Sequence, residues 1–146
     1  MNPLSSIGDI SHVIQLAIAP VFLLTGVGTL LAVLSNRLGR AVDRGRVVEK
    51  MLPDLSGEAL ARAHGELSLL SRRTQLIYTA IVLAVGCALF ICLLIAVAFI
   101  DAFLAANLAK TIGALFVLAM LALIGCLIVF LREIFLAVNS ARRTMR

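Results

Sequence analysis

A chain of 146 residues that is 62% hydrophobic and only 14% charged, with mean hydropathy +1.09, has too little polar surface to coat a water-soluble globule. Its 13 basic residues outnumber its 8 acidic ones, but they lie beside apolar runs and no nucleic-acid motif accompanies them, so nucleic acid is not expected as a partner. Cys87, Cys92 and Cys126 fall inside apolar segments without any C-x-x-C or Cys/His cluster, so no metal and no cofactor is expected.

Residues 1–12 contain neither Lys nor Arg, whereas a cleaved signal peptide needs a positive stretch ahead of its apolar run. Residues 13–34 are therefore read as a retained span, the first of three uncharged stretches, with 76–100 and 112–131. Each is long enough for a bilayer core of about 30 Å, which takes roughly 20 helical residues. The predicted class is an all-α membrane protein with three transmembrane helices.

The first span carries a polar seam. Gln15, Phe22, Thr29, Asn36 and Asp43 recur every seven residues, and Thr25 interleaves with them, together with Ile18, Ala32 and Gly39. All share one helical face. The face opposite, Ala17, Leu24, Gly28, Leu31 and Ser35, is small or apolar and suits packing. In one reading each Thr bonds its own i−4 carbonyl and the amides meet across helices, contributing roughly 0.6–2 kcal/mol. In the other, copies of this helix surround a water path, with Gln15 at the outer mouth and a Phe22 ring as an apolar constriction. Pro20 removes one backbone hydrogen bond here, which neighbouring helices can compensate.

Residues 35–75 hold eight basic side chains, against one in the link 101–111 and four in the tail 132–146. Lys and Arg are retained on the cytoplasmic side, so the N-terminus is expected outside, with this segment and the C-terminus in the cytoplasm. The segment reads as a helical hairpin that continues spans 1 and 2. Leu38, Ala41, Gly45, Val48 and Leu52 recur at three- and four-residue steps on one arm, as do Leu60, Ala63, Leu67, Leu70 and Thr74 on the other. Pro53 disfavours helix at Leu52, and Ser56 is placed to cap the returning arm. Glu58 with Arg62, and Arg62 with Glu66, have the spacing of ion pairs within a helix.

Arg37, Arg40, Arg72 and Arg73 sit where two helices leave the apolar stretches. They serve topology first, and such positions also attract anionic headgroups. Glu66 is expected to pair with one of them. Along the second span Ala80, Ala84, Ala88, Cys92 and Ala96 recur every four residues, a small-residue ridge that marks helix packing. Asp101 and Lys110 flank the external link and either pair or stay solvated. In the tail, Ile134, Ala137 or Val138, and Ala141 continue the last span's periodicity into a third arm. His12 and His64 fall on opposite sides of the membrane and share no site.

The stretches "IAPVFLLTGVGTLLAVLSNRLGRAVDRGR" (18–46) and "ELSLLSRRTQLIYTAI" (66–81) resemble a family of small bacterial three-span inner-membrane proteins catalogued as a domain of unknown function. The likeness is strongest at Asn36, Arg37, Arg40, Asp43 and Arg44, and at Glu66, Arg72 and Arg73. It implies a bacterial inner membrane and no particular activity.

No span contains a charge, which disfavours coupled transport, and no phosphate loop, zinc motif or nucleophile–base pair points to an enzyme. Two readings remain. One is a homo-oligomeric, channel-like protein lined by the first helix. The other is a structural or regulatory scaffold whose hairpin docks a cytoplasmic protein partner. The channel reading is preferred because a scaffold has less need of a seam running from Gln15 to Asp43.

Overall fold

A computed structural model describes the backbone of residues 3–104 and 107–144, and the side chains of 14–15, 17–104 and 107–138. All its regular structure is helical: α1 (Pro3–Met51), a short 3-10 turn (Leu52–Asp54), α2 (Gly57–Leu104) and α3 (Ala109–Thr144). Each long helix contains a stretch apolar and long enough to cross a bilayer. The chain is thus a multi-pass membrane protein with three spanning helices. With no water in the hydrocarbon to bond free N–H and C=O groups, an unbroken helix is the form such stretches must take.

The spans are far shorter than the helices that contain them. The 49 residues of α1 amount to about 74 Å at 1.5 Å per residue, more than twice the bilayer core. The surplus of α1 and the first part of α2 form the two arms of a helical hairpin. At its tip Pro53 stands in the 3-10 turn, which the Leu55 N–H closes by donating to the Leu52 carbonyl at 3.2 Å. Ser56 directly precedes α2, but among the described residues its hydroxyl makes no hydrogen bond, and the reversal rests on Gly57, at φ +59°. That left-handed conformation strains any residue with a Cβ. Gly57→Ala is therefore expected to cost about 1–2 kcal/mol, whereas Gly65→Ala, within α2 and with open space where its Cβ would go, should gain up to about 1 kcal/mol. Thermal unfolding of the two variants in detergent, with shifts of opposite sign, checks this.

The helices contribute to two compact units, Met1–Leu31 with Leu83–Ile124, and Ala32–Val82 with Gly125–Arg146. Inward positions recur every seven residues: Pro20, Val27, Leu34, Ala41 and Val48 on α1; Ala63, Leu70, Ile77, Ala84 and Ile91 on α2; Ala119, Cys126 and Glu133 on α3. A sustained seven-residue row is the pattern of helices packed with a slight left-handed supercoil. The first unit's core is Val27, Ala84, Cys87, Ile91, Leu94 and Ala119. Its outward side chains include Phe22, Leu89, Phe103 and Leu121, an apolar surface fit for lipid rather than water.

The second unit holds the hairpin and the last part of α3. Ala41, Val48, Ala63 and Leu70 are buried, while Leu38, Gly45, Leu52, Leu60, Leu67 and Thr74 are half-buried, so the rows read from periodicity are the inward ones. Some expectations need correction. Glu66 does not pair with Arg62, its neighbour one turn back: Arg44 takes it across the hairpin at 2.7 Å, while Arg62 pairs with Glu58 at 2.7 Å. The small-residue ridge of α2 faces inward within the chain over only part of its length. Ala80 and Ala84 are buried, but Ala88 is half-buried and Cys92 and Ala96 are exposed. Steps of four residues overshoot a helical turn by about 40° each, so such a row winds away from a fixed partner. The packing face of α1 is also displaced from the one expected: Gly28 and Ser35 are exposed and Ala17, Leu24 and Leu31 only half-buried.

In the first unit Asp101 neither pairs with Lys110 nor stays free. Its Oδ1 accepts the Leu108 N–H at 2.9 Å, while the Leu108 carbonyl accepts the Ile112 N–H at 3.0 Å. The carboxylate thus fixes the residue that directly precedes α3, beside Asn107 in the left-handed region at φ 55°. Ala141 and His12 lie outside the residues whose side chains are described.

Candidate functional site: an arginine-lined cleft over a buried glutamate

α3 places Glu133 two residues past the apolar run that ends at Leu131, in register with Ala119 and Cys126. Its side chain is completely buried. A carboxylate removed from water costs several kcal/mol unless charges of opposite sign meet it there. Two do. Arg73, on α2, donates to Oε1 through Nε at 3.2 Å and Nη2 at 3.0 Å. Arg37, on α1, brings Nη2 to 2.8 Å from Oε2. The Arg37 contact is a close charge pair without hydrogen-bond alignment, so Oε2 is buried with no hydrogen bond among the described residues. Arg37 also lies over the Phe130 ring, 5.4 Å from its centroid, one turn before Glu133.

All three helices thus contribute a member of one charged cluster. Arg37 and Arg73 keep about a quarter of their side-chain surface exposed, against none for Glu133. The acid is the inner member and the arginines face outward from it. Their exposed sides open into a cleft of about 410 Å³ lined by Arg37, Arg40, Ala41, Arg44, Leu70 and Arg73. Arg44 is shared with Glu66, which raises the guanidinium pKa first by hydrogen bond and then by charge. That pair is half-exposed and contributes no more than about 1 kcal/mol. Arg40 is exposed and has no carboxylate partner among the described residues. Four guanidinium groups therefore face the cleft against two carboxylates, Glu133 and Glu66.

Of the basic residues singled out by sequence, Arg37, Arg40 and Arg73 come together here, while Arg72 is exposed and lines no part of the cleft. Glu66 does pair with an arginine, but with Arg44 rather than any of those four. Glu133 has no assigned role in the reading of the sequence. The signal that finds it is the seven-residue spacing from Ala119 and Cys126, which puts an acid at a core position.

The seam residues lie on the other side of α1 from its inward row. Gln15, Phe22, Thr25, Thr29, Asn36 and Asp43 are all exposed, Phe22 by 75%. Thr25 and Thr29 donate their hydroxyl hydrogens to the carbonyls of Val21 and Thr25, each at 3.2 Å. Asn36, Gln15 and Asp43 make no side-chain hydrogen bond or ion pair among the described residues.

Three spanning helices, together with a buried acid held between two arginines in the second unit, define a small helical membrane protein with a basic cleft. The chain belongs to the family described as protein of unknown function (DUF2721), which it matches over residues 17–143. No curated protein and no solved structure matches it.

Proposed function

We propose that this chain works as a homo-oligomer in the bacterial inner membrane, with copies of α1 turning the Gln15, Phe22, Thr25, Thr29, Asn36 and Asp43 face toward a shared axis around a water-accessible, channel-like path. The observation that carries this reading is the exposure of that whole face, opposite the row through which α1 packs in its own chain. The threonines satisfy their donors within the helix, but among the described residues the Gln15 amide, within the span, and the Asn36 amide, at its inner end, make no hydrogen bond. For Gln15, inside the span, an amide left without a partner in hydrocarbon costs about 2–7 kcal/mol. Water in a pore, or the same face of another copy, removes that cost, and closed symmetry supplies such a face from every protomer. The basic hairpin is assigned to the cytoplasm with the C-terminus, and the N-terminus to the outside, by the distribution of Lys and Arg.

The back-bonded threonines favour a second reading, in which the seam is only glue between helices and the hairpin serves as a scaffold for a cytoplasmic protein. Native mass spectrometry against the 15.6 kDa chain comes first, with a closed assembly of about four to six copies expected. Single-channel recording then separates the readings. Thr29→Leu is expected to abolish or alter conductance if the face meets water, and only to change assembly stability if it is glue. A monomer overturns the pore.

A further inference from the structure

We propose that the arginine-lined cleft binds a phosphate group, carried by an anionic phospholipid headgroup or by a soluble phosphate. Four guanidinium groups line one recess and two carboxylates offset them, so an excess of about two positive charges faces the opening. The cleft is prearranged. Glu133 holds Arg37 and Arg73 from behind, and the Phe130 ring further restricts Arg37. Each guanidinium has five N–H donors, and Glu133 engages only two of those on Arg73, so donors remain on the outward side. Arg40 is exposed and spends no donor on a carboxylate among the described residues.

Planar forks of N–H groups match an oxyanion bearing several oxygens, which makes phosphate the fitting ligand class. About 410 Å³ accommodates a phosphate with the group attached to it. Position agrees: Arg37 follows the apolar run of α1 by three residues and Arg73 precedes that of α2 by three, the level at which lipid phosphates lie. Ala41 and Leu70 give the recess an apolar wall beside its charges. This inference does not depend on the oligomeric reading of the α1 face.

The full chain is placed in nanodiscs of phosphatidylcholine with a minority of phosphatidylglycerol, released into mild detergent and examined by native mass spectrometry for retained lipid. Selective retention of phosphatidylglycerol is expected, reduced about tenfold in Arg40→Gln and unchanged in Arg72→Gln, an equal charge loss outside the cleft. Because Arg40 has no described partner, its variant should unfold at the wild-type temperature, which separates lost binding from lost fold. In a second arm, nanodiscs of phosphatidylcholine alone are titrated with inorganic phosphate. An Arg40-dependent rise in unfolding temperature assigns the site to soluble phosphate, and retention of phosphatidylglycerol assigns it to lipid. Equal losses in the two variants, retention unaffected by Arg40→Gln, or binding of neither probe overturns the proposal.

Discussion

Glu133→Ala is expected to lower stability by about 3–5 kcal/mol, the effect of stripping a buried charge pair of one partner. In a chain of this length that is a fall of roughly 10 °C in unfolding temperature. The loss comes less from missing attraction than from what remains: Arg37 and Arg73 keep their places between the helices with nothing to balance them. Glu133→Gln should fall between wild type and alanine, because a neutral amide still occupies the volume and accepts from Arg73. The informative contrast is the triple variant Arg37→Met, Arg73→Met, Glu133→Leu. Replacing a whole buried ion cluster by apolar side chains is often neutral or stabilising, so this variant should unfold near or above the wild-type temperature. Circular dichroism melts of the three proteins in one detergent decide the matter. A triple variant as damaged as Glu133→Ala would show that the charges contribute net stability.

The second large effect separates two alanines that the sequence makes equivalent. Ala84→Phe should be destabilising by about 3 kcal/mol, because Ala84 is fully buried and close-packed interiors hold few voids the size of a ring. Ala96→Phe, on the exposed side of the same helix, should change the unfolding temperature of the isolated chain little. Equal damage at both positions would mean that the ridge packs along its whole length, as its four-residue spacing suggests at first sight.

That ridge shows where sequence reading succeeds and where it stops. The three spans were legible because long uncharged runs have one stable form in lipid, and the hairpin because Pro53 interrupts two periodic arms. Periodicity also located the buried rows of the hairpin, Ala41 with Val48 and Ala63 with Leu70. On the second span the alanines every four residues were easier to see than the mixed row Ile77, Ala84, Ile91 that stays inward within the chain. Their place at the ends of the apolar runs named three of the arginines around the cleft without their organising acid. Glu133 stands beside Arg132 just past an apolar run, and an acid there looks like an interfacial residue. Only the packing of α1 and α2 against α3 makes it a core residue, and that convergence of distant segments has no local signature.

The wide separation of Glu133 from its partners along the chain has a consequence for biogenesis. Synthesis is vectorial, and Arg73 leaves the ribosome 60 residues ahead of Glu133. At about 5–20 residues per second, several seconds pass in which the first two helices exist with both arginines and without the acid that neutralises them. During that interval the nascent chain must keep those guanidinium groups hydrated or against lipid phosphates, and the helices cannot seal. Arrival of the third helix delivers the counter-charge and acts as a latch, so closure of this part of the fold waits for α3.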